Sequence, residues 1–214
     1  MYRYLGILCL MLIYTNGASA QNDHFEQCLS GLKERARSEK LSAQLIDEVL
    51  ANLKPQPRVI ELDRSQPEFT QTFASYLFQR VTPERIAQGK RLLKQYDTFL
   101  SRLTREHGVP GRYLVAFWGM ETSYGSYLGR MPTLDSLATL ACDQRRSAFF
   151  TDELMQALAL LERESLSPAD MRGSWAGAMG HTQFMPSAYR LHAIDGDGDG
   201  TVNLWRSERD ALAS

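Results

Sequence analysis

The sequence predicts a mainly α fold, and three observations lead there. Apolar residues recur at three- and four-residue spacing, prolines and glycines punctuate the chain at helix-length intervals, and no segment sustains the alternation of a strand. The 214 residues, 43% hydrophobic and 23% charged, suit one domain or a domain and a half. With 24 basic against 25 acidic residues the formal charge is −1, which argues against nucleic acid as a partner.

Residues 1–20 read as a secretory signal peptide. Arg3 gives a positive start, Leu5 to Tyr14 an apolar run, and Ala18-Ser-Ala20 a small-residue cleavage site. A retained anchor needs roughly 20 consecutive apolar residues, and Thr15-Asn16-Gly17 interrupts this run well short of that. Leu8 is not the small residue expected before a lipidated cysteine, so Cys9 is not read as a lipid anchor and no stable membrane insertion is expected after cleavage. Cleavage leaves Cys28 and Cys142. In an oxidising compartment an even pair favours one disulfide over two buried thiols.

From Phe25 to Leu53 the spacing fits two helices, with Ser42 as an N-cap for the second. Lys54-Pro-Gln-Pro57 stops helix, and Val59 to Asp63 is expected to be extended or loop-like. A third helix is expected over about Pro67 to Arg80. Thr82-Pro83-Glu84 then opens a long one that carries Leu92, Tyr96, Phe99 and Leu103 and stops at Gly108. Pro110 suits the first turn of the next helix, which closes at Gly125. On it, Leu114, Phe117, Trp118 and Glu121 fall at i, i+3, i+4 and i+7, so an acid shares a stripe with bulky apolar groups. A carboxyl group in such surroundings has a raised pKa and can act as a general acid near neutral pH. Helices near Thr133 and from Ser147 to Glu164 follow, and another begins after Trp205. Asp135, the nearest acid in sequence after Glu121, reads as a helix-start residue.

A second block, Gly173-Ser-Trp-Ala-Gly-Ala-Met-Gly-His-Thr-Gln-Phe-Met-Pro-Ser-Ala-Tyr189, mixes glycines with aromatic faces and hydroxyl and amide groups. That mixture suits either a sugar-binding groove or a tightly packed loop. His181 within it reads as structural.

Together with Phe117-Trp-Gly-Met-Glu-Thr-Ser-Tyr-Gly125, this block resembles the membrane-bound lytic transglycosylase B family. Glu61-Leu-Asp-Arg-Ser-Gln-Pro-Glu-Phe69 and Val81-Thr-Pro-Glu-Arg-Ile86 extend the resemblance over most of residues 25–210. It implies a lysozyme-like catalytic domain over 21–214, truncated at its C-terminus. It also implies a periplasmic, monomeric enzyme acting on peptidoglycan glycan strands without a catalytic cofactor. The implied reaction cleaves the β-1,4 bond between N-acetylmuramic acid and N-acetylglucosamine and leaves a 1,6-anhydro end. Glu121 would be the single acid/base, Ser174 would orient it, and Gln183 would contact a sugar, with Tyr76 and Tyr189 as further groove residues. A hydrolytic muramidase of the same fold and a non-catalytic wall-binding module are the alternatives.

Asp195-Gly-Asp-Gly-Asp-Gly200-Thr-Val-Asn203 opens like an EF-hand loop, with oxygen ligands from Asp195, Asp197, Asp199 and the Thr201 carbonyl. Position 12 is Arg206 instead of an acid. The resemblance implies that a later acid, Asp210 rather than Glu208, closes the 195–210 loop. A structural calcium ion is expected there, with another ion or a solvated acidic turn as alternatives.

Overall fold

The computed structural model describes residues 23–65, 71–164 and 166–214. The signal-peptide reading of 1–20 and the start of the third expected helix lie outside these residues. The chain is an assembly of helices with two strands of two residues each.

Helix α1, residues 23–38, is followed by a turn, and the Ser42 hydroxyl then accepts the Leu45 N–H at 3.3 Å. The capped segment winds widely over Leu45–Val49 and tightly over Leu50–Asn52. Helix α2, Pro57–Arg64, replaces the extended connector expected there. Pro57 costs nothing in a first turn, where its missing N–H has no intrahelical partner. Val59 and Asp63, four apart, are both buried. Asp63 is ion-paired with Arg145 and Arg146, so tertiary contacts hold a helix that the local pattern leaves undecided.

Helix α3, Phe73–Arg80, is capped by Thr72, and α4, Pro83–Gln95, by Thr82. The long helix expected from Thr82 to Gly108 breaks at Tyr96, and α5 covers Asp97–His107. The break lets Leu100 and Leu103 turn inward while Tyr96 reaches Glu208. Helix α6, Gly111–Thr122, carries Glu121. Then come β1 (Met131–Pro132), α7 (Thr133–Ala141), α8 (Ser147–Arg163), β2 (Arg172–Gly173), α9 (Pro186–His192) and α10 (Glu208–Ala213).

Two apolar clusters organise these elements. The larger draws on α1, α2, α7, α8 and α9 around Leu29, Leu50, Leu137, Leu154 and Leu158. The smaller joins α5, α6 and α10 through Leu100, Val115, Trp118 and Leu212. A disulfide joins Cys28 of α1 to Cys142 at the end of α7. Strands β1 and β2 pair antiparallel, Met131 opposite Gly173, and bring the glycine-rich block against the turn that follows α6.

Candidate active site

Helix α6 presents different chemistry on adjacent faces. Tyr113, Phe117 and Glu121 recur every fourth residue and line an open groove of about 620 Å³, whose other wall is Tyr76 and Arg80 of α3. Trp118 and Thr122, also four apart, point into the protein. The expectation of a carboxylate enclosed between Trp and Phe is therefore corrected. Phe117 is 65% exposed beside the acid, whereas Trp118 is 1% exposed and packs in the smaller core. At about 100° per residue, Glu121 lies about 40° from Phe117 and about 60° on the other side from Trp118, enough for the two rings to part.

The Glu121 carboxylate is exposed and has no hydrogen-bond or ion-pair partner among the described residues. Partial burial against the groove wall pushes its pKa above the ordinary glutamate range, opposed by the charge of Arg80. The guanidinium of Arg80 lies over the Tyr76 ring at 5.4 Å. Among the described residues lining the groove there is no second acid. Asp135 sits elsewhere, half-buried in α7, where it accepts the Lys54 N–H at 2.6 Å.

The second block locks the end of α6. The indole N–H of Trp118 donates to His181 Nδ1 at 2.9 Å, and the Thr122 hydroxyl donates to the His181 carbonyl at 2.8 Å. An accepting Nδ1 makes this a neutral ring protonated at Nε2, and burial lowers its pKa. The clamp thus grips the positions three before and one after Glu121. Close approach makes it possible: a Cβ on Gly125, at φ +78°, would lie 2.2 Å from the His181 ring. A Cβ on Gly129 would strike the Gly173 backbone at 2.1 Å.

Ser174 does not bond Glu121. Its hydroxyl oxygen accepts the Ala178 N–H at 3.0 Å, which leaves its own proton able to donate. The Gln183 amide donates to the carbonyls of Leu128 at 3.2 Å and Gly180 at 3.1 Å, from a backbone at φ +53°. It fixes the turn after α6 and keeps its side-chain carbonyl uncommitted. Tyr76 lines the groove with Glu121. Tyr189 does not, which corrects its assignment as a groove residue. It is fully buried, its hydroxyl donates to the Val202 carbonyl at 2.8 Å, and burial raises its pKa. One turn of α9 puts it on the same inward face as buried Pro186.

Arg80, Tyr113, Met120, Thr122 and the active-site part of His181 escaped the sequence reading. The every-fourth-residue run Tyr113, Phe117, Glu121 was the available signal.

In the acidic loop, one carboxylate oxygen from each of Asp195, Asp197 and Asp210 lies within 4.8 Å of the others. None of the three is ion-paired with a basic side chain among the described residues. Asp210 is buried and accepts the N–H groups of Gly196 and Asn203, at 2.9 and 2.8 Å, so it ties the loop closed. Backbone N–H groups of Gly200, Gly198 and Asp199 hold the Asp195 pKa low. Three convergent carboxylates without a counter-charge fit a hard, oxygen-loving cation. Asp199 departs from the expected ligand set: one of its oxygens accepts the Thr201 N–H and hydroxyl at 2.8 and 2.7 Å, outside that convergent group.

Fold and site together define the lysozyme-like class of helical domains. The chain belongs to the Transglycosylase SLT domain family, whose profile matches residues 24–214. It is 35% identical over 172 residues to Membrane-bound lytic murein transglycosylase B of Escherichia coli (strain K12), covering 76% of this chain and 48% of that one. Its fold is similar to SltB3 from Pseudomonas aeruginosa in complex with NAG-NAM-pentapeptide, with TM-score 0.82 and 41% identity over 88% of this chain and 50% of the other. The Escherichia coli lytic transglycosylase Slt35 in complex with calcium gives TM-score 0.74 and 32% identity, covering 89% of this chain and 59% of the other. The chain spans about half the length of the curated relative it matches.

Proposed function

We propose that this chain carries the catalytic core of a lytic transglycosylase that uses Glu121 as its only acid and base. The observation that carries the reading is a carboxyl group of raised pKa in a groove walled by aromatic side chains, with no bonded partner and no second acid beside it among the described residues. Aromatic faces stack on the C–H faces of sugars.

In the proposed reaction Glu121 begins protonated. It gives its proton to the glycosidic oxygen between N-acetylmuramic acid and N-acetylglucosamine as the C1–O bond breaks, while the substrate's own acetamido oxygen supports C1. The carboxylate left behind takes the proton of the muramoyl O6 hydroxyl, and O6 closes on C1. Glu121 ends as it began, and the product is a 1,6-anhydro sugar. A single acid suffices because the substrate supplies both the assisting group and the nucleophile. Ser174, with its free O–H, orients the carboxyl group as substrate enters. Gln183 offers its side-chain carbonyl to a sugar hydroxyl, and Tyr76 supports a ring.

Chromatography of the products from intact sacculi tests the assignment. Wild type releases anhydromuropeptides, and Glu121→Gln lowers the rate by about 10²- to 10⁴-fold, the usual worth of a general acid–base group, at an unchanged melting temperature. A main product with a reducing muramic acid would favour the hydrolytic muramidase. Binding without solubilisation would favour a wall-binding module.

The Asp195, Asp197 and Asp210 cluster is proposed to hold calcium, which would fix the segment after Gln183 and take no part in the chemistry. Chelation is expected to lower the melting midpoint by several degrees, with millimolar calcium restoring it. A midpoint that does not respond would count against a bound ion. The chain is further proposed to be exported to the periplasm, supported by the pattern of residues 1–20 and by the Cys28–Cys142 disulfide, which suits an oxidising compartment. No helix among the described residues is long and apolar enough to cross a membrane.

A further inference from the structure

The two walls of the groove are held by unequal means. Helix α6 sends Val115 and Trp118 into the smaller core, whereas no residue of α3 is buried. Tyr76 and Arg80 thus stand opposite Glu121 on a helix that neither apolar core fixes. The turn that ends α6 is also under constraint. Ser123, Tyr124 and Gly125 follow one another at φ +50°, +59° and +78°. The first two hold a left-handed backbone that residues with side chains keep only where their surroundings impose it.

One side chain reaches both places. Arg85 lies in the first turn of α4, where its N–H donates to the Thr82 cap at 3.3 Å. Its Nη1 donates to the Arg80 carbonyl at the end of α3, at 2.5 Å, and its Nη2 to the Ser123 hydroxyl at the end of α6, at 2.8 Å. The Arg85 carbonyl accepts the Tyr124 hydroxyl at 2.9 Å. The Tyr124 phenol fills the gap between the helices: a Cβ added to Gly89 of α4 or to Gly119 of α6 would lie 2.6 Å from it. The guanidinium therefore reaches out from a seated helix, and its two nitrogens serve acceptors on two different elements, which a single ammonium nitrogen does less well.

We propose that Arg85 is a positioning residue that ties the two walls of the Glu121 groove together and sets how closely Arg80 and Tyr76 stand to the acid. The inference rests on the role proposed above for Glu121. Arg85 does not line the groove, so it acts through the placement of α3 and of the turn after Glu121. The side chains that share the groove with Glu121 are Tyr76 and Arg80 of α3 and Tyr113, Ala116, Phe117 and Met120 of α6. Arg80 is the charged one, and it favours the ionised carboxylate. Freeing α3 withdraws that charge, and Glu121 then holds its proton to higher pH.

Carbon-13 NMR titration of the Glu121 carboxyl group, its signal assigned by its loss in Glu121→Gln, tests the tie without requiring turnover. Arg80→Met removes the charge directly and sets the reference shift to higher pH. Arg85→Lys keeps a positive charge but holds one wall instead of two, and should move the titration the same way. Placed on top of Arg80→Met it should add nothing further. Ser123→Ala, which removes the α6 acceptor and leaves Arg85 in place, should also shift the titration upward. On sacculi, Arg85→Lys should slow anhydromuropeptide release about tenfold or more, because small misplacements of a catalytic group are costly. No upward shift in either variant, a Lys shift that adds in full to that of Arg80→Met, or release at the wild-type rate overturns the tie. Release by wild type with no shift in the variants removes the tie alone, and upward shifts without release by wild type remove the catalytic reading alone.

Discussion

Helices α6 and α7 are neighbours in sequence and opposites in design. Of the nine residues of α7, eight are buried, and Leu134, Leu137, Ala138, Leu140 and Ala141 among them join the larger core with α8 and α2 through interchangeable apolar contacts. Of the twelve residues of α6, four are buried, and its last turn is held by two directional hydrogen bonds to His181. A scaffold helix draws stability from area, whereas a site helix must leave one face open and so depends on a few well-placed partners. The second arrangement places a carboxyl group at little cost in burial, and it makes that placement sensitive to single atoms.

Three changes would sharpen this contrast. Leu154→Ala, in the core that α7 and α8 share, should cost about 2–5 kcal/mol of stability. The turnover of the protein that remains folded should be unaffected, so an equal loss in kcat would break the division between scaffold and site. Trp118→Phe keeps most of the packing but leaves the buried Nδ1 of His181 without its donor, at a cost of about 1–3 kcal/mol. Turnover should fall by about tenfold, more than the shift in melting midpoint explains, because the end of α6 loosens beside Glu121. If kcat holds while only stability drops, the clamp does not position the acid.

The smallest effect concerns pH. In the proposed reaction Glu121 starts protonated, so activity should decline as pH rises through its raised pKa, placing the alkaline limb of kcat/KM above the ordinary glutamate range. Arg80 works against that shift by favouring the ionised form. Arg80→Met should move the alkaline limb to higher pH, and a limb that stays put or moves lower would remove Arg80 from the site.

Part of the candidate site is legible in the sequence. Glu121 stood out as a charge among aromatic residues, and the glycine-rich block announced close backbone approach. The Thr82 cap was correctly placed because hydroxyl, proline and acid each favour a helix start at that spacing. Other parts were not legible. Val59 to Asp63 read as extended because two prolines precede it, yet the pairing of Asp63 with Arg145 and Arg146 makes it helical. Tyr189 read as a groove residue from its place in the block that carries the family resemblance, but the inward face of α9 decided otherwise. Trp118 and Phe117 looked equivalent until the smaller core claimed one and the groove kept the other.

The sequence by itself determined the helical class and picked out the candidate acid and the run of aspartates, because helical periodicity, a charge among aromatic residues and the spacing of acids are all local. Only the tertiary structure decided which side of α6 faces the groove, that His181 grips it, and that Asp199 stays outside the group formed by Asp195, Asp197 and Asp210. Those outcomes depend on groups far apart in the chain competing for the same space and the same hydrogen bonds, and no local pattern records who wins.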